Sequence, residues 1–195
     1  MIQSEVIQFF DHAAPTWDAE MVFSPHIVEK ILDAACITSG KTVLDVACGT
    51  GILIPRYLER QVSSITAIDI SPEMARLCAE KFPNPAVQVL CADAETYPFS
   101  QTFDCVMVYN AFPHFPDPER LIRRLSALVK SGGTLTIAHG MPRREIDRRH
   151  EGPARHVSRS LLSLEELHAL MARDLTVTTA ISDEAMYQVT GFRSI

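Results

Sequence analysis

The strongest constraint on the fold is an alternation of short apolar runs with helical stretches through the middle of the chain. Each run has the length and the aliphatic content of a buried strand. The runs lie at residues 42–47, 64–70, 87–91, 103–109 and 134–139, and the helical patterns lie at 51–60, 72–82 and 118–130. Because helical crossovers place successive strands parallel in one sheet, the pattern predicts an α/β, doubly wound fold.

The end of the chain departs from this alternation. Residues 175–181 and 185–192 have strand patterns, and only Ser182, Asp183 and Glu184 separate them. A three-residue connection is too short for a parallel crossover but suits a hairpin. The sequence therefore predicts five parallel strands followed by an antiparallel pair, in a mostly parallel seven-stranded sheet.

Length, net charge and cysteine spacing limit the kinds of molecule that the chain is expected to bind. A chain of 195 residues has room for one sizeable core, and its net charge of −6 disfavours nucleic acid and anionic membrane surfaces. No apolar stretch approaches the roughly 20 residues of a membrane-spanning helix. The five cysteines are widely spaced and form no C-x-x-C pair, as expected of a protein in a reducing cytoplasm.

The first predicted strand runs into a glycine-rich turn that is typical of a ligand-binding loop. Gly49 and Gly51 permit a tight turn and close approach of a ligand to the backbone. Similar turns bind dinucleotides, but here Asp45 places a carboxylate beside the turn and Ile54 replaces the third glycine of that motif. Asp69, which ends the second strand, can accept hydrogen bonds from ribose hydroxyls. These features favour a positively charged amino-acid cofactor, with a nicotinamide-dependent oxidoreductase as the rival enzyme class.

Several ordered motifs resemble those of class I (Rossmann-like) S-adenosylmethionine-dependent methyltransferases. Residues 43–51 resemble motif I, residues 67–74 resemble motif II and the helix start after it, and residues 91–95 and 128–135 resemble two later motifs. The resemblance covers about residues 8–193. It implies the strand order 3-2-1-4-5-7-6 with strand 7 antiparallel. It also implies one domain over 1–195, with an N-terminal helical cap at 1–38 and an arginine-rich connector at 140–162.

The same resemblance implies S-adenosylmethionine as cofactor, S-adenosylhomocysteine as its product, and a role for each matching residue. The methionine part of the cofactor is expected beside Asp45, Ala47, Gly49 and Gly51, although many members of the family have glycine where Ala47 stands. Asp69 is expected to bind the ribose and Ile70 to pack on the adenine. Asp93 is expected to reach the adenine amino group, with Ala94 beside it, and Asn110 to lie near the sulfonium.

The N-terminal segment 9–18 is similar to the segment that covers the cofactor in the small-molecule branch of this family. The similarity implies that Trp17 lies near the methionine carboxylate, and the alternative is a core aromatic residue that anchors the first helix. Phe10, in the same segment, is expected on the acceptor side.

Three histidines follow the carboxyl ends of predicted strands, where open parallel sheets bind ligands. His114 comes after the fourth strand, His139 ends the fifth, and His150 lies in the connector. We expect His114 or His139 to act as a general base and His150 to bind the acceptor. A metal site is the alternative, although the spacing of the three matches no compact metal motif.

The connector carries a local excess of arginines in an otherwise acidic chain. Arg144 and its neighbours either form a solvated, ion-paired helix or recognise an anionic acceptor. The sequence as a whole predicts methyl transfer to O, N or C of a small molecule. A non-catalytic, S-adenosylmethionine-binding regulatory protein remains an alternative from another class.

Overall fold

The computed structural model describes residues 2–194, without the side chain of Pro153, and its centre is one seven-stranded sheet. The strands are β1 (Thr42–Val46), β2 (Ser64–Asp69), β3 (Val87–Cys91), β4 (Phe103–Tyr109), β5 (Val129–His139), β6 (Thr176–Ser182) and β7 (Tyr187–Phe192). Their order is β3-β2-β1-β4-β5-β7-β6, and β7 pairs antiparallel with both β5 and β6. The predicted order, the five parallel strands and the closing hairpin are confirmed.

Eight α-helices occur in the described residues, and several 3-10 turns extend or join them. The helices are α1 (Gln3–Ala13), α2 (Trp17–Glu20), α3 (Pro25–Ala34), α4 (Ile54–Glu59), α5 (Pro72–Lys81), α6 (Pro118–Ala127), α7 (Arg143–His150) and α8 (Leu164–Met171). Serine side chains cap two of the helix starts. The Ser71 hydroxyl accepts a hydrogen bond from the Met74 amide, and Ser163 forms a capping box with Glu166.

Alternation along the strands buries both faces of the sheet. In β4, Val106 and Val108 face one apolar cluster, whereas Cys105 and Met107 face the other. The first cluster also contains residues of α6 and α8, namely Leu121, Leu125, Leu167 and Met171. The second contains residues of α3 and α4, namely Ile31, Leu32, Ile54 and Tyr57. Helices on both faces leave the strand ends as the place for a ligand site.

Two segments differ from the sequence expectation. The helical pattern at 118–130 ends at Ala127, because Val129 already pairs with Phe103 in the sheet. The N-terminal segment 9–18 is not one helix, because a 3-10 turn, Ala14–Thr16, separates α1 from α2. Pro15 occupies an early position of this turn, where its missing amide hydrogen breaks no helical hydrogen bond.

Two acidic side chains of the N-terminal helices form hydrogen bonds with the rest of the fold. An oxygen of Asp11 in α1 accepts hydrogen bonds from the Ser71 hydroxyl at 2.5 Å and the Glu73 amide at 3.1 Å, at the start of α5. Asp18 in α2 accepts a hydrogen bond from Thr50 at 2.5 Å and pairs with Lys81 at 2.7 Å. The N-terminal helices are therefore held over the carboxyl ends of the strands. Within the described residues, no helix is both long and apolar enough to cross a membrane.

Candidate active site

A cavity of about 870 Å³ lies at the carboxyl ends of the parallel strands, beneath the N-terminal helices. Its size falls in the range of small-molecule and cofactor sites. Most of the residues singled out from the sequence line it: Phe10, Trp17, Ala47, Gly49, Asp69, Ile70, Asp93, Ala94, Asn110, His114, His139 and His150. The topology thus brings residues from the N-terminal helices, five strand ends and the connector to one space.

Three expected site residues lie outside the cavity wall. Asp45 is buried beneath the glycine-rich turn, where burial and the nearby charge of Asp69 raise the pKa of Asp45 to about 8. Gly51 has a φ of +88°, and a Cβ there would lie 2.7 Å from the Phe82 ring, so its lack of a side chain serves packing. Arg144 is exposed and pairs with Glu184 at 2.6 Å, as the solvated-helix alternative predicts.

The glycine-rich turn has an unusual backbone at Ala47. Its φ is +54°, a left-handed conformation that glycine adopts without strain and alanine does not. Gly49 has a similar φ of +55°, and a Cβ on it would lie 3.6 Å from the indole nitrogen of Trp17. The turn therefore presents bare backbone to the cavity under the Trp17 ring. Trp17 is partly exposed, lines the cavity and packs on Phe10.

Asp69 forms the acidic wall of the cavity at the end of β2. One carboxylate oxygen accepts a hydrogen bond from the Gly49 amide at 2.8 Å, and the other accepts one from the Ser71 amide at 2.9 Å. Burial raises the pKa of Asp69, and the backbone amides oppose that rise. Because each carboxylate oxygen has two lone pairs, both can accept a further hydrogen bond from a ligand hydroxyl.

Asp93 follows β3 on the same side of the cavity. Its carboxylate accepts hydrogen bonds from the Glu95 amide at 2.9 Å and from the side-chain amide of Gln3 in α1 at 3.0 Å. The apolar side chains of Ile70 and Ala94 line the wall beside the two acidic residues. This side of the cavity can therefore hold a flat, apolar ring together with hydroxyl and amino groups.

Asn110 links the ends of β4 and β5. It has a φ of +55°, which asparagine tolerates better than most residues, and its side-chain oxygen accepts a hydrogen bond from the Gly140 amide at 3.0 Å. This contact holds the β4 and β5 ends together where His114 and His139 emerge.

Aromatic rings of the N-terminal helices pack on one another and on His114 along the cavity wall. The Phe10 ring contacts His114 edge-on at 4.8 Å between centroids, and it contacts Trp17 at 5.7 Å. The neighbouring Phe9 packs on His156 of the connector at 5.9 Å. Helix α1 and the connector thus cover the part of the cavity that contains His114.

His114 is partly buried, and its hydrogen bonds define its protonation. Burial lowers the pKa of His114 to about 4, so the ring is neutral at pH 7. Nδ1 lies 2.9 Å from the carbonyl oxygen of Val157, and a carbonyl can only accept. Nδ1 therefore carries the proton, and Nε2 keeps its lone pair for a ligand.

The other two histidines complete the same wall. The His150 ring lies 5.0 Å from that of His114, between centroids. Burial lowers the pKa of His139 to about 3, with a smaller effect of the two neighbouring histidines. Nε2 of His139 and Nδ1 of His150 are buried and have no hydrogen-bond partner among the described residues. The three rings thus meet at one cavity, and the part of the chain that is described holds no group of three His, Cys, Asp or Glu side chains suited to a metal ion.

The connector supplies an arginine that sequence reasoning missed. Arg149, not Arg144, lines the cavity, and it forms no ion pair with another described residue. The signal was present in the spacing, because Ile146, Arg149 and His150 lie three and four positions apart and share one face of α7. Ile146 is buried, so this face points inward.

Comparison with known proteins agrees with this geometry. A family model described as a methyltransferase domain matches residues 44–137. The chain is 31% identical over 142 residues to the malonyl-[acyl-carrier protein] O-methyltransferase of Acetivibrio thermocellus, which covers 71% of this chain and 50% of that protein. It is 32% identical over 145 residues to the ubiquinone biosynthesis O-methyltransferase of Xanthomonas oryzae pv. oryzae, which covers 70% of this chain and 60% of that one.

The chain thus spans between half and two thirds of the length of these curated relatives. Among solved structures, a SAM-dependent methyltransferase from Aquifex aeolicus superposes with a TM-score of 0.69 at 20% identity, over 98% of each chain. At that identity the likeness concerns the fold, and it extends over the N-terminal helices and the closing hairpin.

Proposed function

The chain belongs to the class I S-adenosylmethionine-dependent methyltransferase family, and we propose that it transfers a methyl group from S-adenosylmethionine to a small-molecule acceptor. The observation that carries the proposal is the single cavity with two unlike ends. One end has carboxylates and apolar side chains suited to a nucleoside, and the other has apolar rings and neutral imidazoles. A donor and an acceptor bound in one space can react without leaving it.

The residues at the first end fit the cofactor. Asp69 retains lone pairs for the ribose hydroxyls, and Asp93 retains them for the adenine amino group. Ile70 and Ala94 offer an apolar surface for the adenine ring. Charge-assisted hydrogen bonds of this kind contribute about 1.5–3 kcal/mol each.

The methionine part of the cofactor fits beside the glycine-rich turn. Ala47 and Gly49 expose backbone to the cavity, and Asn110 faces it from the end of β4. Asp45 lies beneath the turn and is mostly protonated at pH 7 in the cofactor-free protein, and the positive charge of a bound cofactor would favour its ionised form. The bound cofactor supplies an activated methyl group, so the protein has mainly to align the acceptor and to accept a proton from it.

His114 is the proposed general base, with His139 on the same wall. The neutral ring of His114 is oriented by the Val157 carbonyl, so that Nε2 is free to accept a proton. His150 and Phe10 hold the acceptor against this ring, and Arg149 replaces Arg144 as the cation at the entrance.

Binding and turnover of the cofactor test the proposal. We expect calorimetry to give micromolar-scale binding of S-adenosylmethionine and S-adenosylhomocysteine, and negligible binding of NADH. We also expect formation of S-adenosylhomocysteine when the protein is incubated with S-adenosylmethionine and a set of small-molecule acceptors. Tighter binding of NADH would contradict the cofactor assignment. Binding without turnover on any acceptor would favour the regulatory alternative.

A further inference from the structure

The acceptor end of the cavity is built mainly from residues 109–154, and Phe10 of α1 packs on His114 there. The N-terminal helices also bring Glu20 to the cavity, but its side chain is exposed to solvent. The lining residues between positions 109 and 154 are Tyr109, Asn110, Ala111, His114, Phe115, Pro116, Arg120, His139, Met141, Ile146, Arg149, His150 and Ala154. None of them is a carboxylate. Of the two cations, Arg120 is already paired with Glu95, and Arg149 is exposed at the entrance. The inner surface of this end therefore carries no net charge.

On that surface, ring nitrogens of two histidines have no hydrogen-bond partner among the described residues. Nε2 of His114 is left free by the bond from Nδ1 to Val157. His139 is only 2% exposed, and its Nε2 has no partner among the described residues. A buried polar nitrogen without a partner is costly, so a ligand that donates a hydrogen bond here relieves that cost.

We propose that this end of the cavity takes an uncharged, apolar molecule that presents an acidic hydroxyl group, a phenol or an enol, to Nε2 of His114. The inference rests on the proposed methyl transfer and specifies the acceptor. In the reaction, a bond forms between the hydroxyl oxygen and the methyl carbon as the bond from methyl carbon to sulfur breaks. The electron pair of the broken bond stays on sulfur, and Nε2 of His114 takes the hydroxyl proton.

Charge excludes two other acceptor classes. An ammonium would lose its hydration on entering this end and would find no carboxylate to replace it. A carboxylate would lose its hydration in the same way, because the Arg149 side chain is exposed to solvent. A neutral hydroxyl brings no charge, and its hydrogen bond goes to the free nitrogen.

Acidity separates a phenol from an aliphatic alcohol. Burial holds the pKa of His114 at about 4, so this ring is a weak base. A phenol has a pKa of about 10, whereas water, which an aliphatic hydroxyl resembles, has one of about 15.7. The proton of a phenol is therefore easier to remove by about five to six orders of magnitude.

A matched series of compounds tests the acceptor class. We suggest 2-naphthol, 2-naphthylmethanol, 2-naphthylmethylamine and 2-naphthoate, which share one ring system and differ in the reacting group. Formation of S-adenosylhomocysteine and calorimetric binding to the complex with S-adenosylhomocysteine would be measured for each. We expect 2-naphthol to be methylated at least about 100-fold faster than the others. Faster methylation of the amine or the carboxylate, or no binding by any neutral member, would overturn the inference.

The pH profile of a His114→Gln variant tests the role of the ring. Wild type should methylate 2-naphthol at a rate that is nearly independent of pH between 6 and 8, because His114 is already neutral there. The variant should lose about 10²–10⁴-fold at pH 7, and its rate should rise about tenfold per pH unit because only ionised naphthol can react. His26→Gln, at an exposed position on α3, is the matched control and should keep the flat profile.

A flat profile with a small loss in the His114→Gln variant would overturn the inference. Failure of the proposed function would look different, because S-adenosylmethionine would then either not bind to the wild-type protein or bind without turnover of any acceptor. Calorimetric binding of S-adenosylmethionine to the wild-type protein and to the His114→Gln variant, together with turnover by the wild-type protein, distinguishes the two outcomes.

Discussion

Replacement of Asp45 by asparagine should remove a pH dependence from the stability of the cofactor-free protein. Asp45 is 2% exposed, and burial with the nearby Asp69 charge raises its pKa to about 8 in the folded state. In the unfolded chain the pKa is near 3.9. The folded protein therefore binds this proton more tightly, and the free energy of unfolding falls as pH rises towards 8.

The magnitude follows from these two pKa values. Each pH unit between them costs about 1.36 kcal/mol, and the cost tapers near the folded pKa. Between pH 6 and pH 8, Asp45 should lower the free energy of unfolding by about 2.3 kcal/mol. Asparagine keeps the size of the side chain but cannot ionise, so this contribution should vanish in Asp45→Asn.

Urea unfolding at pH 6, 7 and 8 measures the effect. The buried histidines also contribute to the pH dependence, but they are the same in both proteins and cancel in the difference. Asp104→Asn is the control. Partial burial acts to raise the pKa of Asp104, but hydrogen bonds from Thr42 and the charge of Lys130 lower it to about 2. This control should therefore differ from wild type by a constant amount over the range. Parallel curves for wild type and Asp45→Asn would refute the reasoning.

Three further predictions address the cofactor loop and its cover. Asp69→Asn should weaken calorimetric binding of S-adenosylhomocysteine at least about tenfold while the protein stays folded, since two charge-assisted hydrogen bonds become weaker; an unchanged dissociation constant would speak against the ribose assignment. Ala47→Gly should raise the free energy of unfolding by up to about 1 kcal/mol in urea, since glycine adopts a φ of +54° without strain; a clear loss of stability would contradict this. Asp11→Ala should speed hydrogen exchange in α1 (Gln3–Ala13) with little change in the sheet, since the bonds to Ser71 and Glu73 are lost, and equal exchange rates would show that packing alone holds α1.

The sheet was predictable because its signals are local and repeated. Apolar runs bounded by helical patterns determine the parallel strands, and the three residues Ser182, Asp183 and Glu184 allow only a hairpin at the end. The helix starts were predictable at Ser71 and Ser163 for the same reason, since cap chemistry lies within four residues of sequence.

The limits of the sequence prediction lie where distant segments meet. Nothing near Asp45 in the sequence indicates that the turn above it would separate its carboxylate from the cavity. The protonation of His114 depends on the Val157 carbonyl, which comes from the connector 43 residues away. Arg149 rather than Arg144 faces the cavity because of the helical phase of α7. The sequence does not reveal this phase clearly, because most residues of that helix are charged.

The central claim is that the cavity binds S-adenosylmethionine with its nucleoside at the acidic end and its reactive sulfur towards the histidines. A crystal structure of the protein with S-adenosylhomocysteine tests this most directly. The account predicts ribose hydroxyls within hydrogen-bond distance of Asp69, adenine between Ile70 and Ala94, and the sulfur facing Nε2 of His114 across open space. A nucleoside bound elsewhere, or a sulfur turned away from His114, would contradict it.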